Sequence, residues 1–193
     1  MPALCTFQFH MIVHIDDCCK FLTENLTSNR RFPFTLAAKL FWSKNVKEER
    51  EAPKQVLIGS MSTIHCVLPT LAVHIETSIK ISVSQTSRFV FDNQTDSPQN
   101  GKNRAYRILR DDVWAKSEFE KVVTGLIGTH SLHKYPLTHA QRNGCSRDDI
   151  DFHGRWKRHT RQVDMYIDVE LPYPDAKVAT ALCIGGACKY MSP

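Results

Sequence analysis

Four side chains in the last third of the chain are of types that act on phosphate esters: His130 and His133, three residues apart, then Trp156, and Tyr166 ten residues beyond it. Their surroundings are cationic. From His130 to Tyr166 there are seven lysines and arginines against four acids, and Arg155-Trp156-Lys157-Arg158-His159-Thr160-Arg161 carries four cations and no acid. Arg155, Lys157, Arg158 and Arg161, with Lys134 beside the histidines, are candidates to contact a polyanion, with an affinity that falls as salt rises because counterions are released. A tyrosine has a pKa near 10 and is phenolate in about one molecule in a thousand at neutral pH, so as a nucleophile it needs neighbouring cations or a base. Attack on a phosphodiester also builds negative charge on the non-bridging oxygens. Guanidinium groups hold that charge bidentately, and an imidazole or indole N–H donates a further hydrogen bond.

The elements that must position these residues follow from spacing and punctuation. Ser131 to Asn143 reads as a helix stopped by Gly144, which suits the left-handed position after a helix end. Ser146 with Asp149 three residues on forms a capping box that opens a short helix toward Phe152, and Asp148, Asp149 and Asp151 complement the dipole at its start. Arg161 to Val169 puts Val163, Tyr166 and Ile167 on one side before Pro172 and Pro174 close it, and a last helix is expected over 174–182. Upstream, Val67, Leu68, Leu71, Ala72, Ile75 and Ile79 recur at helical spacing, and Gln55 to Ile58 reads as a buried strand ended by Gly59-Ser60. Thr35 to Phe41 reads as a helix behind a Thr35 cap. The stretch 92–103 has no apolar residue and reads as an exposed loop, followed by a helix from Tyr106 to Ile127. The first thirty residues show no clear period and read as an N-terminal extension to a domain covering 31–193.

Composition sets the class. The chain has 193 residues, 42% apolar and 23% charged, with eight Gly and nine Pro, which excludes disordered, collagenous and solenoid chains and fits one domain; with the elements above it reads as mainly α with a small β-sheet. Its longest mainly apolar window, Ile64 to Ile75, is interrupted by His65, Pro69 and His74, so no membrane span is expected. Phe7 to Ile15 has no basic residue ahead of it and is followed by Asp16-Asp17, the wrong charge order for a secretory signal. The seven cysteines contain no Cys-x-x-Cys, which points to reduced thiols and an intracellular location. His130, His133, His139, Cys145, His153 and His159 lack zinc-finger spacing, and Cys183 and Cys188 have no matching second pair, so no metal is expected. The net charge of +5 permits a polyanionic partner.

The segments Gly128-Thr-His130-Ser-Leu-His133-Lys134, Gly154-Arg155-Trp156-Lys157 and Gln162-Val163-Asp164-Met165-Tyr166-Ile167-Asp168 together resemble the C-terminal catalytic boxes of the tyrosine recombinases, the phage integrase family. In that family a helix carries His-x-x-Arg, a Gly-x-His or Gly-x-Trp element follows, and the nucleophilic tyrosine comes next on a separate helix. His130, Trp156 and Tyr166 keep that order at intervals of 26 and 10 residues. The text around them, Arg142 to Asp149 and Asp168 to Pro174, resembles a divergent eukaryotic, mobile-element-like branch. The likeness covers Gly128 to Cys188 and extends to Trp42 through Ile79.

The resemblance implies a recombinase-like catalytic core, N-terminally truncated because the family's core-binding domain would not fit before residue 30. It implies DNA as partner, a homo-oligomer on that DNA, a nuclear location in a eukaryote and no cofactor. The implied reaction is strand breakage and rejoining through a 3′-phosphotyrosyl link, with Tyr166 as nucleophile, Trp156 as a phosphate donor through its indole N–H, and His130 as general acid–base or positioning group. His133 stands where the family has its second arginine, and a mostly neutral imidazole cannot replace a guanidinium fork. Catalysis is therefore expected to be impaired, with a non-catalytic DNA-binding remnant as the alternative. Arg30 or Arg31 is the nearest candidate for the family's first arginine, and Lys54 for its hairpin lysine.

Overall fold

The computed structural model describes residues 2–41, 54–81, 88–91, 98–114, 129–156 and 164. The chain opens with helix α1 (Pro2–Met11), whose Ala3, Leu4, Phe7 and Met11 recur at three- and four-residue spacing and are all buried. A tight turn with Ile12 at φ 50° leads into the short helix α2 (Ile15–Cys19), with Asp16 and Asp17 in its first turn. Three strands follow, β1 (Leu26–Ser28), β2 (Leu36–Lys39) and β3 (Lys54–Leu57), in an antiparallel sheet of order β1-β2-β3. Ala38 stands opposite both Leu26 and Gln55. Helix α3 (Val67–Ile81) packs on α1, and α4 (Pro98–Ile108) runs on into a π-helical segment (Leu109–Trp114). Helices α5 (Ser131–Arg142) and α6 (Arg147–His153) complete the described elements.

The main core joins α1, α2, the sheet and α3 through Phe7, Met11, Phe21, Leu40, Leu57, Val67 and Leu71. Phe7 and Phe21 meet at a centroid distance of 4.8 Å. Each such fully buried side chain contributes roughly 1.5–3 kcal/mol of apolar burial. A smaller cluster of Ile12, Leu137, Ile150 and Trp156 ties the end of α1 to α5 and α6. The protein is thus mainly helical with a small antiparallel sheet. Among the described residues no helix is long and apolar enough to cross a membrane.

Several local expectations are met. Helices occupy 67–81 and 131–142, and Gly144 takes φ 87°. Ser146 Oγ accepts from the Asp149 amide at the start of α6.

Four expectations need correction. Gln55 to Ile58 is not a buried strand: β3 spans Lys54–Leu57 with only Gln55 and Leu57 buried, and Ile58 beyond it is exposed. Thr35 to Phe41 is no helix: Leu36–Lys39 forms the central strand, hydrogen-bonded on both sides, so ladder pairing outweighs the modest helix preference of Leu-Ala-Ala-Lys. Thr35 donates its hydroxyl to the Phe32 carbonyl instead of capping a helix. The first thirty residues are not irregular, since α1, α2 and Phe21 supply much of the main core. The loop expected over 92–103 gives way at Pro98, a residue suited to the first helical position because its missing N–H is not needed there. Lys102 of this helix reaches Asp16 of α2 at 2.8 Å. Residues 92–97 and 115–128 and the helices expected over 161–169 and 174–182 lie outside the described residues, except Asp164.

Candidate functional site

The Gly154-Arg155-Trp156 element is the end of α6. The Arg155 amide donates to the Phe152 carbonyl (3.2 Å) and the Trp156 amide to the Asp151 carbonyl (2.8 Å), the paired bonds of a Schellman motif. The left-handed position that glycine usually fills there is taken by Arg155, at φ 57°, a conformation that costs a non-glycine residue about 1–2 kcal/mol. Gly154 is needed for a different reason. A Cβ built on it would lie 1.7 Å from Trp156 Cζ3, so the indole can fold back only over a bare α-carbon.

This reversal turns Arg155 inward. The residue is 7% exposed, and its Nη1 donates to Gln55 Oε1 at 3.2 Å. Gln55 comes from β3 and donates in turn to the Met11 carbonyl (3.2 Å) and the His153 carbonyl. One glutamine therefore links the sheet, the end of α1 and the end of α6. Arg155 Nε has no hydrogen-bond partner among the described residues. Asp17 of α2 faces the same interior: burial pushes its carboxyl up to about 6, while the Arg155 charge pulls it back down. Burial in turn pushes Arg155 below its ordinary value, opposed by Asp17.

The two histidines meet at the head of α5. His130 is its N-cap residue and is exposed, whereas His133, one turn on, is 1% exposed. Between them lies His14 from the turn joining α1 to α2. Its ring is stacked on His133 with centroids 4.2 Å apart and stands edge-on to His130 at 5.6 Å. His133 meets the Trp156 ring edge-on at 5.4 Å. Desolvation, followed by the neighbouring His14, pushes His133 down to about 4, so this imidazole is neutral at physiological pH.

Of the residues singled out from the sequence, the fold brings His130, His133, Trp156 and Arg155 into one cluster. Trp156 is 7% exposed and shares the smaller apolar core with Ile12, Leu137 and Ile150. Arg155 is an interior cation, whereas Lys134 lies on the exposed face of α5. Arg30 and Arg31 sit in the β1–β2 turn, and Lys54 opens β3 on an exposed position. Tyr166, Lys157, Arg158 and Arg161 lie outside the described residues. Asp164, two residues before Tyr166, pairs with Arg147 at the head of α6, and Arg147 also holds Asp151 at 3.1 Å. Among the described residues no three His, Cys, Asp or Glu side chains are grouped as a metal site.

His14, Asp17 and Gln55 belong to this cluster and were not among the sequence candidates. The signal for His14 and Asp17 was the Leu4, Phe7, Met11 spacing, which makes the opening segment a core helix and its following turn an interior one. Gln55 carried no signal beyond a polar residue inside a strand. No protein-family model, no curated protein and no solved structure matches this chain.

Proposed function

We propose that this protein is a divergent tyrosine recombinase that binds DNA and breaks and rejoins its strands through a 3′-phosphotyrosyl intermediate on Tyr166, with its chemistry weakened at His133. The observation that carries this reading is the meeting of His130 and His133 from α5 with Arg155 and Trp156 from the end of α6, residues 22 to 26 positions apart in sequence. The cluster sets an exposed imidazole beside two buried aromatic rings and one buried permanent cation, residue types that phosphodiester chemistry uses. In the proposed step the Tyr166 phenol loses its proton as its oxygen forms a bond to phosphorus and the bond from phosphorus to the 5′ oxygen breaks. His130 relays the phenol's proton to that leaving oxygen, so the step gains and loses no net proton. A free 5′-hydroxyl reverses both events and rejoins the strand.

His133 accounts for the weakening. A neutral imidazole in the place of a guanidinium leaves the non-bridging oxygens one charge short, on the scale of a lost oxyanion donor at roughly 3–4 kcal/mol. Arg155 contributes a positive charge to the same cluster, so the deficit is partial. The test is incubation of the full chain with nicked duplexes of randomised sequence, followed by denaturing gels. A covalent protein–DNA adduct that disappears in Tyr166→Phe is the expected result, and salt-sensitive binding without any adduct supports the second reading, a DNA-binding remnant. The observation favouring that second reading is the buried, neutral state of His133.

A further inference from the structure

The turn between β1 and β2 holds Arg30, Arg31, Phe32, Pro33 and Phe34 out in solvent. Phe34 is 97% exposed and Phe32 53%. This turn is a built structure. The Asn29 amide donates to the Thr35 carbonyl (3.1 Å), Asn29 Oδ1 accepts from the Arg31 and Phe32 amides (3.1 and 3.3 Å), and the Thr35 hydroxyl donates to the Phe32 carbonyl (2.7 Å). These four bonds fix Phe34 at φ 64°, a left-handed conformation that glycine or asparagine adopts with far less strain. A turn serving only to connect two strands gains nothing from a strained phenylalanine in water. The stretch Leu26 to Lys39 contains three cations and no acid. The Arg31 guanidinium lies 5.6 Å from the centre of the Phe32 ring.

Cations beside projecting aromatic rings complement one polymer in both respects, since nucleic acid offers phosphates to arginine and base faces to phenylalanine. We infer that the β1–β2 turn is a DNA-binding wedge, in which Arg30 and Arg31 hold phosphates and Phe34 enters a base step. The inference rests on the DNA-binding part of the proposed function and not on its chemistry. The geometry connects the two: Thr35, at the base of the turn, is three residues along β2 from Ala38, the partner of Gln55, whose side chain receives the Arg155 hydrogen bond. At about 3.4 Å per residue the base of the turn stands about 10 Å along the strand from the position opposite Gln55.

The test measures binding of the full chain to fluorescent duplexes over a salt series, with 2-aminopurine in a second set of duplexes to report unstacking. Arg30→Ala with Arg31→Ala is expected to weaken binding about tenfold and to reduce the slope of log affinity against log salt by about 2. Phe34→Ala is expected to weaken binding about fivefold, to leave that slope unchanged and to abolish the rise in 2-aminopurine emission seen with the native chain. Phe34→Gly removes the ring while relieving the backbone, so a variant that melts no lower than the native chain yet binds like Phe34→Ala assigns the loss to the ring. Wild-type binding by both the arginine and phenylalanine variants overturns the inference. So does tight binding to phosphatidylserine vesicles that Phe34→Ala abolishes while DNA binding is unaffected. A native chain that binds no duplex overturns this inference and the proposed function together, whereas wedge effects without a Tyr166 adduct overturn the chemistry and leave the wedge standing.

Discussion

The imidazole of His14 lies stacked on that of His133, with ring centroids 4.2 Å apart and planes within 17°. The contact joins residues 119 positions apart and makes the turn after the first helix a wall of the candidate site. Two imidazoles in this arrangement do not both carry charge in a dry interior, and His133 is the one with its protonation driven down, first by burial and then by His14. The His133 ring is thus held neutral by the fold and packs between His14 and Trp156.

A pH dependence of stability follows from this pair of opposed titrations. His133 is lowered to about 4 and binds fewer protons folded than unfolded, so its contribution is complete above its ordinary value near 6.5 and is lost as pH falls toward 4. Asp17 is raised to about 6 and binds more protons folded than unfolded, so its contribution is complete below about 4 and is lost as pH rises through 6. Each swing is roughly 3 kcal/mol. Urea unfolding between pH 4 and 7 should show His133→Gln losing stability as pH rises and Asp17→Asn losing it as pH falls. Parallel profiles for the two variants would show that neither group titrates as its surroundings indicate.

Arg155 should matter to Asp17 as much as to any ligand. Arg155→Met removes the charge that draws the Asp17 carboxyl down, leaving a buried carboxylate without its compensating cation. The expected loss at pH 7 is about 3 kcal/mol in chemical denaturation, with a large part recovered in the double variant carrying Asp17→Asn. Additive effects in that double-mutant cycle would separate the two residues energetically.

Gly154 should tolerate no side chain. In Gly154→Ala the new methyl collides with the Trp156 ring, which must leave its place against Ile12, Leu137 and Ile150. A loss of about 3 kcal/mol and a red-shifted tryptophan emission are expected. An unchanged emission maximum would mean that the indole does not occupy this position in solution.

How much of this was legible in the sequence depended on the range of the interactions. The histidine helix, its Gly144 stop and the Ser146 cap rest on contacts within four residues, and a one-dimensional pattern carries those in full. The strand at Leu36–Lys39 is not legible locally, because its fate is decided by two neighbouring strands and not by its own side chains. Arg155 shows a finer limit. Its place in a basic run suggested a surface contact, but the run begins at a Schellman turn that points this one arginine inward to Gln55. The Leu4, Phe7, Met11 spacing marks α1 as a core helix, but that His14 and Asp17 meet this cluster depends on α1 packing against α5, across more than a hundred residues.

The most direct measurement compares covalent adduct formation on nicked duplexes by the native chain, His133→Arg, and His133→Arg combined with Tyr166→Phe. Arginine at 133 restores a permanent charge where a neutral ring now sits, so the account predicts an adduct increased about tenfold over the native chain and absent from the double variant. No adduct in any of the three, with salt-sensitive DNA binding retained in all, would contradict strand breakage through Tyr166 and leave a protein that only binds DNA.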